Sequence, residues 1–207
     1  MVPPLKIVLC GPPRSGKSCL RQALKEAIRR ASTVYPYVLN ANPDGQGSWF
    51  QETSSVNPEL AAALKKENKR TWSPERATLY ASWVRSVEGP LTFVDSGGIP
   101  DEITEEIARP ASHLLLLAPT VEQFDPWRDF SRRIGVPVFA EILSHYHATD
   151  DDAGALDEDS IYRGIVHHLE RGEVAHERPL VKALAGHILN RLEFGVGPSR
   201  GRGSDGS

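Results

Sequence analysis

Residues 11–18, Gly11-Pro12-Pro13-Arg14-Ser15-Gly16-Lys17-Ser18, place two glycines, a lysine and a hydroxyl at the spacing G-x-x-x-x-G-K-[ST]. The residue types suit one task, holding a chain of phosphates. Gly11 and Gly16 allow backbone torsions that a side chain would forbid, so successive amides can turn toward one anion. A helix starting near Lys17 adds the positive end of its dipole. Lys17 then reaches the β- and γ-phosphates, and the Ser18 hydroxyl ligates Mg²⁺. The expected nucleotide-contacting stretch therefore runs from Gly11 through Pro12, Pro13, Arg14, Ser15, Gly16, Lys17 and Ser18 to Cys19. A chance Gly-rich turn before a helix is the competing reading, and an apolar strand before the loop weighs against it.

A second group sits downstream. Leu91-Thr92-Phe93-Val94-Asp95 is an apolar run ending in a carboxylate, the pattern of an aspartate that supports Mg²⁺ through water. An Asp that only caps the following turn is the alternative. One clear strand separates the loop helix from this run, which suits the kinase and GTPase branch of phosphate-loop proteins. Ser96 stands where many motor ATPases carry a water-activating glutamate, which argues against a powerful motor. Asp95-Ser96-Gly97-Gly98 also fits a D-x-x-G switch, in which the Gly98 amide meets the γ-phosphate. No N-K-x-D guanine-reading element follows. ATP is therefore the expected nucleotide, with GTP the weaker choice.

Residues 40–52 hold the candidate acceptor site, in a loop at the carboxyl edge of the expected sheet. Asp44 or Glu52 could accept the proton of an attacking hydroxyl, and Trp49 could stack on a substrate ring. A plain Pro-Asp-Gly turn anchored by Trp49 explains the same residues. Arg128 and Arg132, four apart on one expected helix, could clamp phosphates or form a solvated basic face, and Arg163 and Arg171 share that ambiguity. His145, His147, His167 and His168 lack the carboxylate or cysteine spacing of a metal set. Cys10 and Cys19 flank the loop without zinc spacing and read as reduced core thiols.

These groups need a scaffold. Apolar runs and turn residues predict strands over 5–10, 35–39, 91–94, 113–118 and 137–143. Helices are predicted over 18–31, where Leu20, Leu24 and Ile28 form one stripe, and over 58–67, 73–88 and 101–108. Ser73 caps the third of these and Pro74 opens it. Another helix starts at Asp125-Pro126 and closes at Gly135, and the last two are expected over 160–170 and 179–192. The stretch 149–159 carries six acidic side chains and reads as a surface loop. The β-α-β alternation predicts a three-layer α/β/α fold with a mainly parallel sheet of about five strands. One domain over 1–194 is expected, followed by a Gly/Ser/Arg tail over 195–207 with no apolar face to bury.

Composition narrows the partners. At 207 residues, 40% hydrophobic and 25% charged, the chain suits one globular domain. A net charge of -3 gives no default reason for a nucleic-acid partner. No apolar run approaches the roughly 20 residues that cross a bilayer, and Met1-Val2-Pro3-Pro4 lacks a signal-peptide pattern, so a cytoplasmic location is expected.

Several segments together resemble one family. The phosphate loop, Asn42-Pro43-Asp44-Gly45-Gln46-Gly47-Ser48-Trp49, Val94-Asp95-Ser96-Gly97-Gly98, Trp127-Arg128-Asp129-Phe130 and Leu169-Glu170-Arg171-Gly172 are similar to the AAA-like P-loop domain fused behind CRISPR-associated ring nucleases that degrade cyclic oligoadenylate. The resemblance covers about residues 5–192. It implies nucleotide and Mg²⁺ roles for Gly11, Gly16, Lys17, Ser18 and Asp95, and a second pocket around Asp44 and Trp49. The ring-nuclease domain is missing from this sequence, so nuclease activity is not implied; a separate ring-nuclease chain is the partner it suggests. The function expected is ATP-Mg²⁺ binding with phosphoryl transfer to a small-molecule or nucleotide-like acceptor, or slow NTP hydrolysis. The alternative is a nucleotide-dependent module that regulates a partner, and oligomerisation stays open.

Overall fold

The computed structural model describes residues 3–41, 73–170 and 172–194. Asp44, Trp49, Glu52, Arg171, the helix expected over 58–67 and the tail over 195–207 lie outside the described residues.

The first apolar run forms β1 (Leu5–Cys10), and the phosphate-loop motif leads into α1 (Lys17–Ala31). Leu20, Leu24 and Ile28 recur every four residues and are fully buried, each contributing about 1.5–3 kcal/mol. Arg29 and Arg30 in the last turn complement the helix dipole, and the Ser32 amide closes the end on the Ile28 carbonyl. Next come β2 (Tyr37–Asn40), α2 (Pro74–Ser86), β3 (Leu91–Asp95), α3 (Glu102–Ala108) and β4 (His113–Ala118). Ser73 caps α2 by accepting from the Arg76 amide, and Asp101 caps α3 by accepting from the Thr104 amide at 2.8 Å. The chain continues through α4 (Asp125–Ile134), β5 (Val138–His145), β6 (Asp152–Leu156), β7 (Tyr162–His167) and α5 (Pro179–Phe194). Gly135, at φ 71°, ends α4 in the left-handed conformation that glycine reaches without strain.

The strands form one sheet in the order β2-β3-β1-β4-β5-β7-β6, parallel except for the β6–β7 pair. Alternate strand residues face two layers. Ile7, Leu9, Phe93, Leu115 and Leu117 pack with α1 and α5, whereas Val8, Val94, Leu114 and Leu116 pack with α2, α3 and α4. This is a three-layer α/β/α fold, and its parallel strands are apolar on both faces.

Among the described residues the sheet has seven strands where about five were expected, and the difference lies in two segments. Residues 160–170, expected to be helical, contain β7, because Tyr162, Gly164 and Val166 alternate onto the α5 side. A Cβ on Gly164 would come within 2.4 Å of the Leu180 side chain, so β7 packs closely on α5. The acidic stretch 149–159, expected to be a loop, contains β6. An edge strand pairs on one side only and tolerates charge on the other. Gly154, at φ 75°, accommodates the register shift between Asp152 and Ala155. No helix among the described residues is long and apolar enough to cross a membrane.

Candidate functional site

In parallel strands, the segments that follow the strands gather at one edge. The register pairs Leu9 with Asp95 across β1 and β3, so the end of β3 stands beside the start of the phosphate loop. A Cβ on Gly11 would lie 1.9 Å from the Leu117 carbonyl oxygen, so only glycine lets the loop leave β1 against β4. Arg14 at φ 64° and Gly16 at φ 91° supply the left-handed turns that fold the loop back onto α1. Pro12 and Pro13 have no amide hydrogen, so the amides available to an anion begin at Arg14. Unlike α2 and α3, α1 has no side-chain cap and no acidic residue in its first turn. Its positive end is left for an external anion.

The Lys17 ammonium folds over this loop and donates to the Gly11 and Pro12 carbonyls, 2.8 Å each. The Ser18 hydroxyl donates to Asp95 Oδ2 at 2.8 Å, joining the two ends of the site. Asp95 is fully buried, and Arg21 Nη1 donates to the same oxygen at 3.0 Å. Asp95 Oδ1 and Ser15 Oγ are buried without a partner among the described residues. A hydroxyl beside a buried carboxylate with one unsatisfied oxygen is the donor set that a hydrated Mg²⁺ takes, so Ser18 and Asp95 fit that ion. Among the described residues, no group of three or more His, Cys, Asp or Glu is arranged to hold a metal.

The residues after Asp95 support the loop. The Ser96 hydroxyl is buried and donates to the Leu9 carbonyl at 2.8 Å, fastening β3 to β1. A Cβ on Gly98 would lie 2.8 Å from the Pro13 nitrogen, so the Gly97-Gly98 turn packs against the phosphate loop itself. Burial pushes the Cys10 thiol up to about 12, against the hydrogen bond with Ser96 and the charge of Lys17. Cys10 is thus a protonated core thiol, and Cys19 forms no disulfide.

Arg128 is engaged elsewhere. Its guanidinium donates twice to Glu141, 2.7 Å each, and to Asp125 at 2.9 Å. Arg163 Nε donates to the same Glu141 at 3.0 Å. Burial raises the Glu141 pKa, but the hydrogen bonds and charges of Arg128 and Arg163 outweigh it and leave the carboxyl below its ordinary value. Glu141 lies on β5, two strands from β1, so these arginines brace the sheet. Arg132 pairs with Asp129 at the surface.

Arg21 is a site residue that no sequence motif singles out. Its signal is positional: three residues after Ser18, it shares the Ser18 face of α1. Two strand ends also adjoin the loop. A Cβ on Gly16 would lie 3.1 Å from Leu169 and 3.7 Å from Ser144 Oγ, which places the ends of β5 and β7 beside the start of α1.

The fold and this site define the chain as having a P-loop NTPase fold. No protein-family model and no curated protein matches it. Among solved structures, it is similar to a plasmid partition protein from Borrelia burgdorferi, with a TM-score of 0.59 and 13% identity over 91% of this chain and 99% of that one. It is equally similar to a plasmid partition protein from Borrelia burgdorferi B31 bound to AMPPNP, with a TM-score of 0.58 and 13% identity over 90% and 97% of the two chains. At that identity the likeness is one of fold.

Proposed function

We propose that the chain binds ATP with Mg²⁺ and acts as a phosphotransferase on a small or nucleotide-like acceptor or as a slow NTPase. The observation that carries this reading is the pairing of Ser18 with a buried Asp95 beneath an uncapped, carboxylate-free helix start. The AMPPNP-bound partition protein of similar fold supports ATP as the nucleotide. Amides from Arg14 onward, together with the α1 dipole, hold the phosphates. Lys17 exchanges its bonds to the Gly11 and Pro12 carbonyls for phosphate oxygens and neutralises charge on the transferring group. Bound Mg²⁺ supplies further charge neutralisation, with Ser18 and Asp95 as the residues that hold it. The residue after Asp95 is a serine, its hydroxyl bonded to the Leu9 carbonyl, so no carboxylate directly follows Asp95 to activate water, which supports slow hydrolysis. Asp44 or Glu52, outside the described residues, is the proposed base for an acceptor hydroxyl, and Trp49 the proposed ring that stacks on the acceptor.

The same Ser96 observation favours a second reading, in which ATP binding controls a partner and hydrolysis is incidental. The resemblance to CRISPR-associated proteins makes a ring-nuclease-type chain the partner class for that reading. Single-turnover transfer from labelled ATP across nucleosides, nucleotides and sugars separates the two. The phosphotransferase labels at least one acceptor stoichiometrically. A protein that labels none, and captures a partner only with ATP, is the regulator.

A further inference from the structure

A shallow cleft, open to solvent, runs along the first turns of α1 and begins at Ser18. Ser18, Cys19, Gln22 and Glu26 line one wall, and Glu170 and Glu173, beyond β7, line the other. Behind Glu170, the wall residue that both of them contact, the Tyr146 and His168 rings stack with centroids 4.5 Å apart. The Tyr146 hydroxyl donates to Glu170 Oε1 at 2.7 Å, and His168 Nε2 lies 3.2 Å from the same oxygen. The pair is therefore held in place, although Tyr146 is 50% exposed and packs into no core. Held rings facing solvent form a surface on which another ring can stack.

Charge orients any ligand that spans loop and cleft. The loop end offers Lys17 and an uncapped helix start, whereas the cleft offers the carboxylates of Glu26, Glu170 and Glu173. Arg29, His168 and Arg178 pair with these three carboxylates, so the cleft is close to neutral and the loop is the end that draws an anion. A neutral group rich in hydroxyl and amino donors finds acceptors in the cleft. A nucleotide has this polarity, with charged phosphates at one end and ribose hydroxyls and a flat base at the other.

We propose that this cleft is the nucleoside subsite, with Tyr146 and His168 as the platform for the base and the carboxylate wall accepting from ribose and base donors. The proposal rests on the phosphate-loop reading above and adds to it where the rest of the nucleotide lies. Because the platform contacts a π-face, purines of either kind stack on it, and pyrimidines, with less ring area, bind less well.

Calorimetry with ATP, GTP, CTP and inorganic tripolyphosphate tests it on wild type, Tyr146→Ala and Tyr146→Phe. Loss of one base–aromatic stack corresponds to roughly 5- to 150-fold in affinity. Tyr146→Ala is expected to lose that much for ATP and GTP, less for CTP, and nothing for tripolyphosphate. Tyr146→Phe keeps the ring but loses the hydroxyl that ties it to Glu170, so it is expected to keep most of the ATP affinity that Tyr146→Ala loses. Unchanged ATP affinity in Tyr146→Ala overturns the platform while leaving the phosphate site intact. An equal loss for ATP and tripolyphosphate overturns it as well, since the ring would then only shape the loop. A wild type that binds neither ligand removes the phosphate site and the platform together.

Discussion

Replacing Arg21 with methionine tests the electrostatic core of the site. The Asp95 carboxylate is fully buried, and the Arg21 side chain, 8% exposed, is the cation 3.0 Å from its Oδ2. The Ser18 hydroxyl, at 2.8 Å from the same oxygen, is a neutral donor and does not balance the charge. Methionine preserves most of the aliphatic stem but leaves the carboxylate buried without that cation. Breaking a buried pair in this way costs about 3–5 kcal/mol. For a domain of this size, the melting temperature then falls by about 6–20 °C. Thermal unfolding followed by circular dichroism measures this directly. The double variant Arg21→Met/Asp95→Asn, with neither charge, is expected to recover much of the loss. Added Mg²⁺ should stabilise Arg21→Met more than the wild type, because Asp95 then lacks its internal counter-ion. An Arg21→Met protein as stable as the wild type would refute the reasoning.

Three further outcomes follow from the same geometry. Asp95→Asn keeps the side-chain shape but removes the charge suited to Mg²⁺ and leaves Arg21 without its partner, so at a temperature where the variant stays folded ATP turnover should fall strongly while nucleotide binding in EDTA changes little; wild-type turnover would reduce Asp95 to a structural residue. Asp44→Asn should slow acceptor phosphorylation by about 10²–10⁴-fold if Asp44 is the general base, with ATP affinity unchanged. Equal labelling by both proteins removes Asp44 from the mechanism. Burial, with a smaller contribution from the Arg191 charge, lowers the His113 pKa from 6.5 to about 4. The unfolded chain therefore binds the extra proton first, and stability present above pH 6.5 is lost as pH falls toward 4. With allowance for the partial exposure of the ring, the loss is about 2 kcal/mol, read by urea melts. His113→Gln should flatten that pH dependence, and an identical profile in the variant would exclude His113 as its source.

The legible parts of the fold were those where local pattern and tertiary role coincide. The run His113–Ala118 is aliphatic because β4 is covered on both faces, and that reads directly as a buried parallel strand. Gly11, Gly16, Lys17 and Ser18 were visible because phosphate binding by backbone amides demands those types at that spacing. β7 was missed because Tyr162, Gly164 and Val166 give only three inward positions, one of them without a side chain, too weak an alternation to outweigh a helical reading. β6 was missed because its charged residues fit an edge strand as well as they fit a loop. The tie of Arg128 to Glu141 and the tie of Arg21 to Asp95 are pairings between distant elements, which no local periodicity carries. The Tyr146–His168 stack is of the same kind, made only when β5 and β7 become neighbours.

The central claim is that residues 11–18 hold the phosphates of ATP, and titration calorimetry of ATP with Mg²⁺ into wild type and Lys17→Ala tests it most directly. Lys17, which lies over the loop on the Gly11 and Pro12 carbonyls, is the cation proposed to meet the β- and γ-phosphates, and a charge-assisted contact of that kind is worth about 1.5–3 kcal/mol. The wild type is predicted to bind ATP, and the folded Lys17→Ala variant to bind it roughly 10- to 150-fold more weakly. Equal ATP affinity in the two folded proteins would contradict the account.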